Sequence, residues 1–246
     1  MKILRSLLIT AALTAAFSAN AQYFDHLSAG LTLGTDGIGI ELASPIGNFV
    51  EMRAGYSFTP GISYKTDVDI ESKSVDKAKV KAKLNMGDAK VLFDFFPIKG
   101  NGFHLTAGAY IGKSEVVTLR NAEYPGPITG LDPEDYGTAG IVIGDYLVTT
   151  DENGAAKAAI KTNSFKPYLG LGFGRGCSDK LVNVQCNLGV EFWGSPGVYA
   201  WDPHENKYIK ATEGDFDNED AAKALRTISK IGVWPVLNIR VAFRAF

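Results

Sequence analysis

Glu41, Glu51, Asp94 and Glu191, with Arg53, Lys90, Lys166, Arg240 and Arg244, share one property: each stands at a polar position of a short run whose alternate residues are apolar. A period of two sets all of them on the strand face opposite the apolar one. Their signs are mixed and nearly balanced, as charges withdrawn from water must be. Two uses of such a set stand open: an interior salt-bridge network that plugs a narrow barrel, or a gated path for small polar solutes. Eight strands leave an interior only wide enough for side chains, which favours the plug.

Other reactive residues point less clearly. His26 and His104 fall at strand ends and His204 lies in a long loop beside Asp202. No Ser/His/acid group of the kind used by lipid A-modifying enzymes can be assembled from their spacing, so no catalytic residue is assigned. Cys177 and Cys186 flank a short polar segment between two strand runs. In an oxidising compartment they form either a hairpin-clamping disulfide or two unpaired thiols, and Cys186 falls on the apolar parity of its run. With no further Cys or His close in sequence, neither a metal site nor a cofactor is expected. Tyr124, Tyr136, Tyr146, Tyr199, Trp201 and Tyr208 stand in loops among acids such as Asp132, Glu134, Asp135, Asp215, Asp217, Glu219 and Asp220. They make either a recognition surface or packing against a barrel rim.

The elements that must position these residues are short strands. In 164–174, SFKPYLGLGFG, the odd positions Phe165, Pro167, Leu169, Leu171 and Phe173 are apolar, while the opposite face is Lys166, Tyr168 and glycine. A soluble sandwich needs large residues on its inner face. Here the bulky row fits lipid and the glycines fit a crowded interior. Seven further runs repeat the pattern: 27–34, 38–43, 49–58, 89–96, 103–112, 182–193 and 233–246. Such alternation is the signature of an outer-membrane barrel. Between them lie short connections at 45–48, 97–102 and 176–181 and long ones at 59–88, 113–163 and 195–232, which puts the short turns and both chain ends on the periplasmic side. Residues 79–86 extend a strand above the membrane, with a bulge near Gly87 reconciling two parities. Residues 141–150 and 155–162 pair as an exposed hairpin; were it to enter the membrane, the count would be ten. A helix over 218–231 precedes the last strand.

Residues 1–21 read as a secretory signal, with Lys2 and Arg5, an apolar middle and Ala19-Asn20-Ala21 before Gln22. Its apolar run is far shorter than the roughly 20 residues of a membrane-spanning helix. One barrel domain, 22–246, accounts for the rest, and its mildly acidic balance argues against a nucleic-acid partner.

Several pieces in order, Leu33-Gly34-Thr35-Asp36-Gly37-Ile38-Gly39, FDFFPIKGNGF from Phe93, PYLGLGFG from Pro167, NLGVEFWGSP from Asn187, the helix before the last strand and the final aromatic, resemble a family of small Gram-negative outer-membrane barrels of largely unassigned function, related in architecture to the outer-membrane A and W proteins. The resemblance implies a closed antiparallel up-and-down all-β barrel of eight strands in the outer membrane, with no catalytic residues to carry over. Phe246 is out of step with Phe243, Val241 and Ile239, a departure from the usual C-terminal signal read by the barrel-assembly machinery. The expectation is a monomeric, non-enzymatic barrel in contact with outer-membrane lipid and lipopolysaccharide. Its role is structural or adhesive, and the alternative is a narrow channel or a carrier of small polar or hydrophobic solutes.

Overall fold

Strands that alternate in polarity cannot leave an edge unpaired in lipid, so they must close on themselves. In the computed structural model, which describes residues 26–123, 126–143, 146–178, 180–202, 205–212, 230 and 232–245, eight of them do. These are β1 (Ser28–Gly34), β2 (Gly37–Pro45), β3 (Val50–Phe58), β6 (Gly87–Phe95), β7 (Phe103–Gly112), β12 (Phe165–Phe173), β13 (Val182–Phe192) and β16 (Val233–Arg244). They form a closed antiparallel barrel in the order β1-β16-β13-β12-β7-β6-β3-β2. The seam joins the two ends of the chain, from Ser28↔Arg244 to Gly34↔Asn238.

The fold is a transmembrane barrel, and its outer surface shows why. Leu31, Leu33, Ile40, Val91, Leu105, Leu169, Leu171, Leu188, Leu237 and Ile239 are all exposed, Leu33 at 67%, and a belt of that kind is stable only against hydrocarbon. Phenylalanines girdle both rims: Phe58, Phe165 and Phe192 at the long-loop end, Phe95, Phe173 and Phe243 at the short-turn end. No helix among the described residues is long and apolar enough to cross a membrane.

The long connections are not irregular. They build a second sheet of eight strands in the order β10-β9-β4-β5-β8-β11-β14-β15, from β4 (Ser63–Glu71), β5 (Lys77–Leu84), β8 (Glu115–Asn121), β9 (Gly140–Ile143), β10 (Tyr146–Thr149), β11 (Lys157–Lys161), β14 (Gly197–Asp202) and β15 (Lys207–Lys210). Its own core gathers Ile70, Val80, Ile128, Leu131, Ile141 and Val148. Three sequence readings are thereby revised. The hairpin lies within the first of the two runs, β9 with β10, while β11 pairs with β8 and β14; both belong to the outer sheet, so the barrel has eight strands and not ten. At Gly87 there is a break between strands of different sheets, not a bulge, because β5 pairs with β4 and β8 while β6 pairs with β3 and β7. The stretch 113–163 carries four strands. The signal segment, Tyr124, His204, the acids from Asp215 to Asp220, most of the 218–231 helix and Phe246 lie outside the described residues.

Candidate functional site

Strand register decides which inward side chains meet. Across β2, β3 and β6 the inward row reads Glu41, Gly55, Lys90. Because Gly55 has no side chain, Glu41 and Lys90 join over it at 2.6 Å; a Cβ there would stand 2.7 Å from Glu41 Cγ. Lys90 also reaches the carboxylate of Asp36, at 3.1 Å, from the β1–β2 turn.

One level nearer the short turns, Arg53 donates from Nε and Nη2 to the two oxygens of Asp94 at 2.7 and 2.9 Å. It also donates to Glu41 and Asn187, both at 3.3 Å. Asp94 accepts two more bonds, from Thr106 Oγ1 at 2.7 Å and Gln185 Nε2 at 2.9 Å. Arg240 meets Glu41 over β1, the strand between β16 and β2, at 3.3 Å. These charges lie at 2% exposure or less, and they tie β2, β3, β6, β7, β13 and β16 together across the lumen. A bidentate guanidinium–carboxylate pair with its remaining lone pairs satisfied is the arrangement in which buried charge is tolerable.

Glu51 faces Asp94 directly across β3 and β6, and the like charges separate by turning to different partners. Glu51 accepts from the backbone amides of Gly176 and Cys177, at 2.8 and 3.2 Å, and from Arg175 at 3.3 Å. The β12–β13 connection is therefore folded inward as a stopper at the short-turn mouth. Arg240 donates to the Gly176 carbonyl and to Ser28 Oγ, both at 3.0 Å, so the stopper is locked to the middle network.

Toward the other mouth, Lys166 donates to both oxygens of Asp88 at 2.8 and 2.9 Å. Glu191 accepts from Trp193 Nε1 at 3.1 Å. Tyr110 and Tyr168 pack at 5.5 Å between ring centroids beside Leu92 and Val236. The glycines of the 164–174 run make room for this: a Cβ on Gly170 would lie 2.5 Å from Tyr168 Oη. Above them Trp193 stacks on Trp234 at 4.9 Å, with Met86 and Val116 closing the layer.

The nine charged residues picked out by alternation thus separate into eight that are buried in the lumen and one that is not. Arg244 has inward parity but stands exposed at the end of β16, where the wall ends. Asp36 and Asp88 are buried partners that alternation did not single out. Asp36 looked like a turn former. Asp88 sits two residues before Lys90 on the same face, and a strand begun one residue earlier would have included it. His104 is engaged by the Gly102 carbonyl and by Asn187 and Gln185.

Of the two alternatives for Cys177 and Cys186, the structure has the unpaired thiols, both cysteines being free. Cys186 is exposed on the outer wall, whereas Cys177 is buried in the stopper with its Sγ 2.9 Å from the Ala43 carbonyl. The barrel wall stands between them. Burial pushes the Cys177 thiol up from its ordinary value.

In the outer sheet, Trp201 meets Tyr208 edge to face at 5.1 Å, with Lys157 over Trp201 at 4.8 Å and Lys161 over Tyr208 at 3.9 Å. Tyr136 packs on the outer core.

No protein-family model matches the chain, and no curated protein matches it in sequence. Among solved structures it is similar to CarO2 of Acinetobacter baumannii, at 20% identity over 90% of this chain and 99% of that one, with a TM-score of 0.51. CarO of the same organism aligns at 19% identity over 91% of this chain and 99% of that one, TM-score 0.47. A major outer membrane protein from Thermus thermophilus aligns at 12% over 89% and 98%, TM-score 0.37. At such identities the first of these likenesses extends to the fold.

Proposed function

We propose that the chain is an outer-membrane barrel protein that acts as a sealed anchor for a surface-binding sheet, without enzymatic activity. The observation that carries this reading is the network of Arg53, Asp94, Glu41 and Arg240 spanning the lumen above an inward-folded turn. A barrel blocked at that level offers no continuous water path, while the described parts of its long connections are spent on an ordered outer sheet. Export by residues 1–21, insertion through the last strand by the barrel-assembly machinery, a monomeric state and contact with outer-membrane lipid and lipopolysaccharide complete the reading. The test is planar-bilayer conductance of the folded protein together with membrane fractionation. Baseline current and recovery in the outer membrane are expected; steady openings abolished by Arg53→Gln would overturn the sealed barrel.

A second reading, a carrier of small hydrophobic solutes, is favoured by one cavity of about 310 Å³ in the outer sheet, lined chiefly by Val68, Val80, Leu119, Ile141, Val148 and Ala158. Saturable binding of an apolar fluorophore, abolished by Val80→Trp, would support it, and unsaturable partitioning would remove it.

A further inference from the structure

We propose that the outer sheet takes up a small single-chain amphiphile sideways out of the surrounding lipid and holds its apolar part in the cavity of about 310 Å³. The site is that of the second reading above and rests on it, while the ligand class and the route of entry go beyond it.

Register shows what kind of space the cavity is. Thr66 stands opposite Val80, Tyr64 opposite Ala82, Ala82 opposite Leu119 and Leu119 opposite Ala158, and residues opposite one another in a ladder share a face. That face carries the outer core. The β9–β10 hairpin is attached to β4 only at Ile70 and Glu71, while β10 also touches β14. It gives Ile141 and Val148 to the cavity, and the sheet gives Val68, Val80 and Leu119, so the space is a cleft between hairpin and sheet face. Its volume stands at the small end of the roughly 300–1,000 Å³ of small-molecule pockets, enough for one short chain and too little for a two-chain lipid. Thr66 is exposed at its rim, which leaves the polar end of such a ligand in water. Lys157 also lines the cleft, with its ammonium held over the Trp201 ring.

A second observation concerns the same face nearer the barrel, where it is uncovered. Leu84 N donates to Ile62 O, carrying the ladder one step below β4, so Ile62 and Tyr64 both belong to the core face. Yet Ile62 is 58% exposed and Tyr64 73%. Large apolar and aromatic side chains left open in a row mark a binding surface. This row begins four residues after Phe58, the last lipid-facing residue of β3, and ends at Thr66 and the cleft.

A third observation gives the row access to lipid. In sequence β4, β5, β8, β11 and β14 adjoin β3, β6, β7, β12 and β13, and they follow the same order in the outer sheet, so the barrel wall continues upward over those five strands. β1 and β2 are joined directly through Thr35 and Asp36, so no strand rises above them. The edge of β4 on the β2 side has no strand paired to it over Ser63–Asp69 among the described residues. Hydrocarbon at the outer rim of β2 therefore borders an opening that leads past Ile62 and Tyr64 to the cleft. An apolar solute can follow it without entering the lumen.

The test uses the full protein in phospholipid vesicles, its barrel verified by heat-modifiable gel mobility. A diazirine-bearing decanol is dissolved in the lipid and cross-linked by a flash of light at set times, and peptide mass spectrometry reads occupancy at Val68, Leu119 and Val148. Labelling should saturate with the mole fraction of probe in the lipid, be displaced by plain decanol, and be lost in Val80→Trp. Ile62→Asp with Tyr64→Asp should slow loading at least about fivefold while changing saturating occupancy by less than about twofold. An absence of saturable labelling in the folded parent protein would overturn this proposal and the second reading together. Loading of the double variant at the parent rate, or a rate set by the probe's concentration in water rather than in the lipid, would overturn the lateral route and leave the second reading standing. Diacylglycerol displacing the probe as well as decanol does would overturn the single-chain class.

Discussion

Replacing Arg53 by Met is the sharpest probe of the filled lumen. The side chain is 1% exposed and makes four bonds, two of them to Asp94. Its loss leaves Glu41 with Lys90 and Arg240, but takes from Asp94 the one cation with which it forms an ion pair among the described residues. Breaking a buried pair from one side costs about 3–5 kcal/mol, most of it the penalty of the stranded charge. Thr106 and Gln185 still donate to Asp94, which sets the expectation at the lower end, about 3 kcal/mol. Adding Asp94→Asn removes the stranded charge while its amide oxygen still accepts from Thr106. Its new NH₂ faces Gln185, whose Oε1 is buried and lacks a hydrogen bond. The double variant should therefore return to within about 1 kcal/mol of the parent, a non-additivity that identifies the pair as the source. Urea unfolding in lipid vesicles, followed by tryptophan fluorescence and gel mobility, measures both. A single-variant cost below about 1 kcal/mol, or a double variant no better than the single, would refute the reasoning.

The other expectations are simpler. Gly170→Val drives a Cβ to 2.5 Å from Tyr168 Oη and to 2.9 Å from the Leu188 carbonyl oxygen and should cost about 1–3 kcal/mol, only part of it recovered by adding Tyr168→Phe; no recovery at all in the same unfolding assay would show that the Tyr168 hydroxyl is not what the glycine accommodates. Trp193→Ala dismantles the stacked pair at the outer mouth and should cost about 3–5 kcal/mol, yet bilayer conductance should stay at baseline because the Arg53 level remains sealed. Current through this variant alone would move the block to the tryptophan layer. Cys186 should react with an apolar maleimide in the folded protein, while Cys177, buried and with its thiol pushed up so that less thiolate is present at neutral pH, should react only on unfolding. Equal native rates would show that the inward turn is not seated.

The barrel was legible because lipid imposes one rule on every strand at once. Leu31, Leu171 and Leu237 alternate with Thr32, Gly172 and Asn238 for the same reason, so each run can be read alone. The inward list followed from the same alternation, and it failed where a side chain enters the lumen from a turn, as Asp36 does, or where the wall ends, as at Arg244. The outer sheet obeys no such rule. Lys77–Leu84 alternates clearly, but nothing local says that β5 lies between β4 and β8, nor that β11 leaves its sequence neighbour for β14. Those pairings join residues tens of positions apart, and the apolar cleft exists only because of them. The cysteines illustrate the same limit: nine residues apart in sequence, they are separated by the wall that one of them helps to build.

The filled lumen also bears on how such a molecule can be made. Once Arg53, Arg240 and the inward turn are in place, no passage remains through which 59–88, 113–163 or 195–232 could be threaded. In a barrel inserted from the periplasm, the segments of the outer sheet must cross while the wall is still open, carrying their lysines with them. The β1–β16 seam, which joins the first strand to the last, has to close after those segments have crossed, so plugging and closure are coupled.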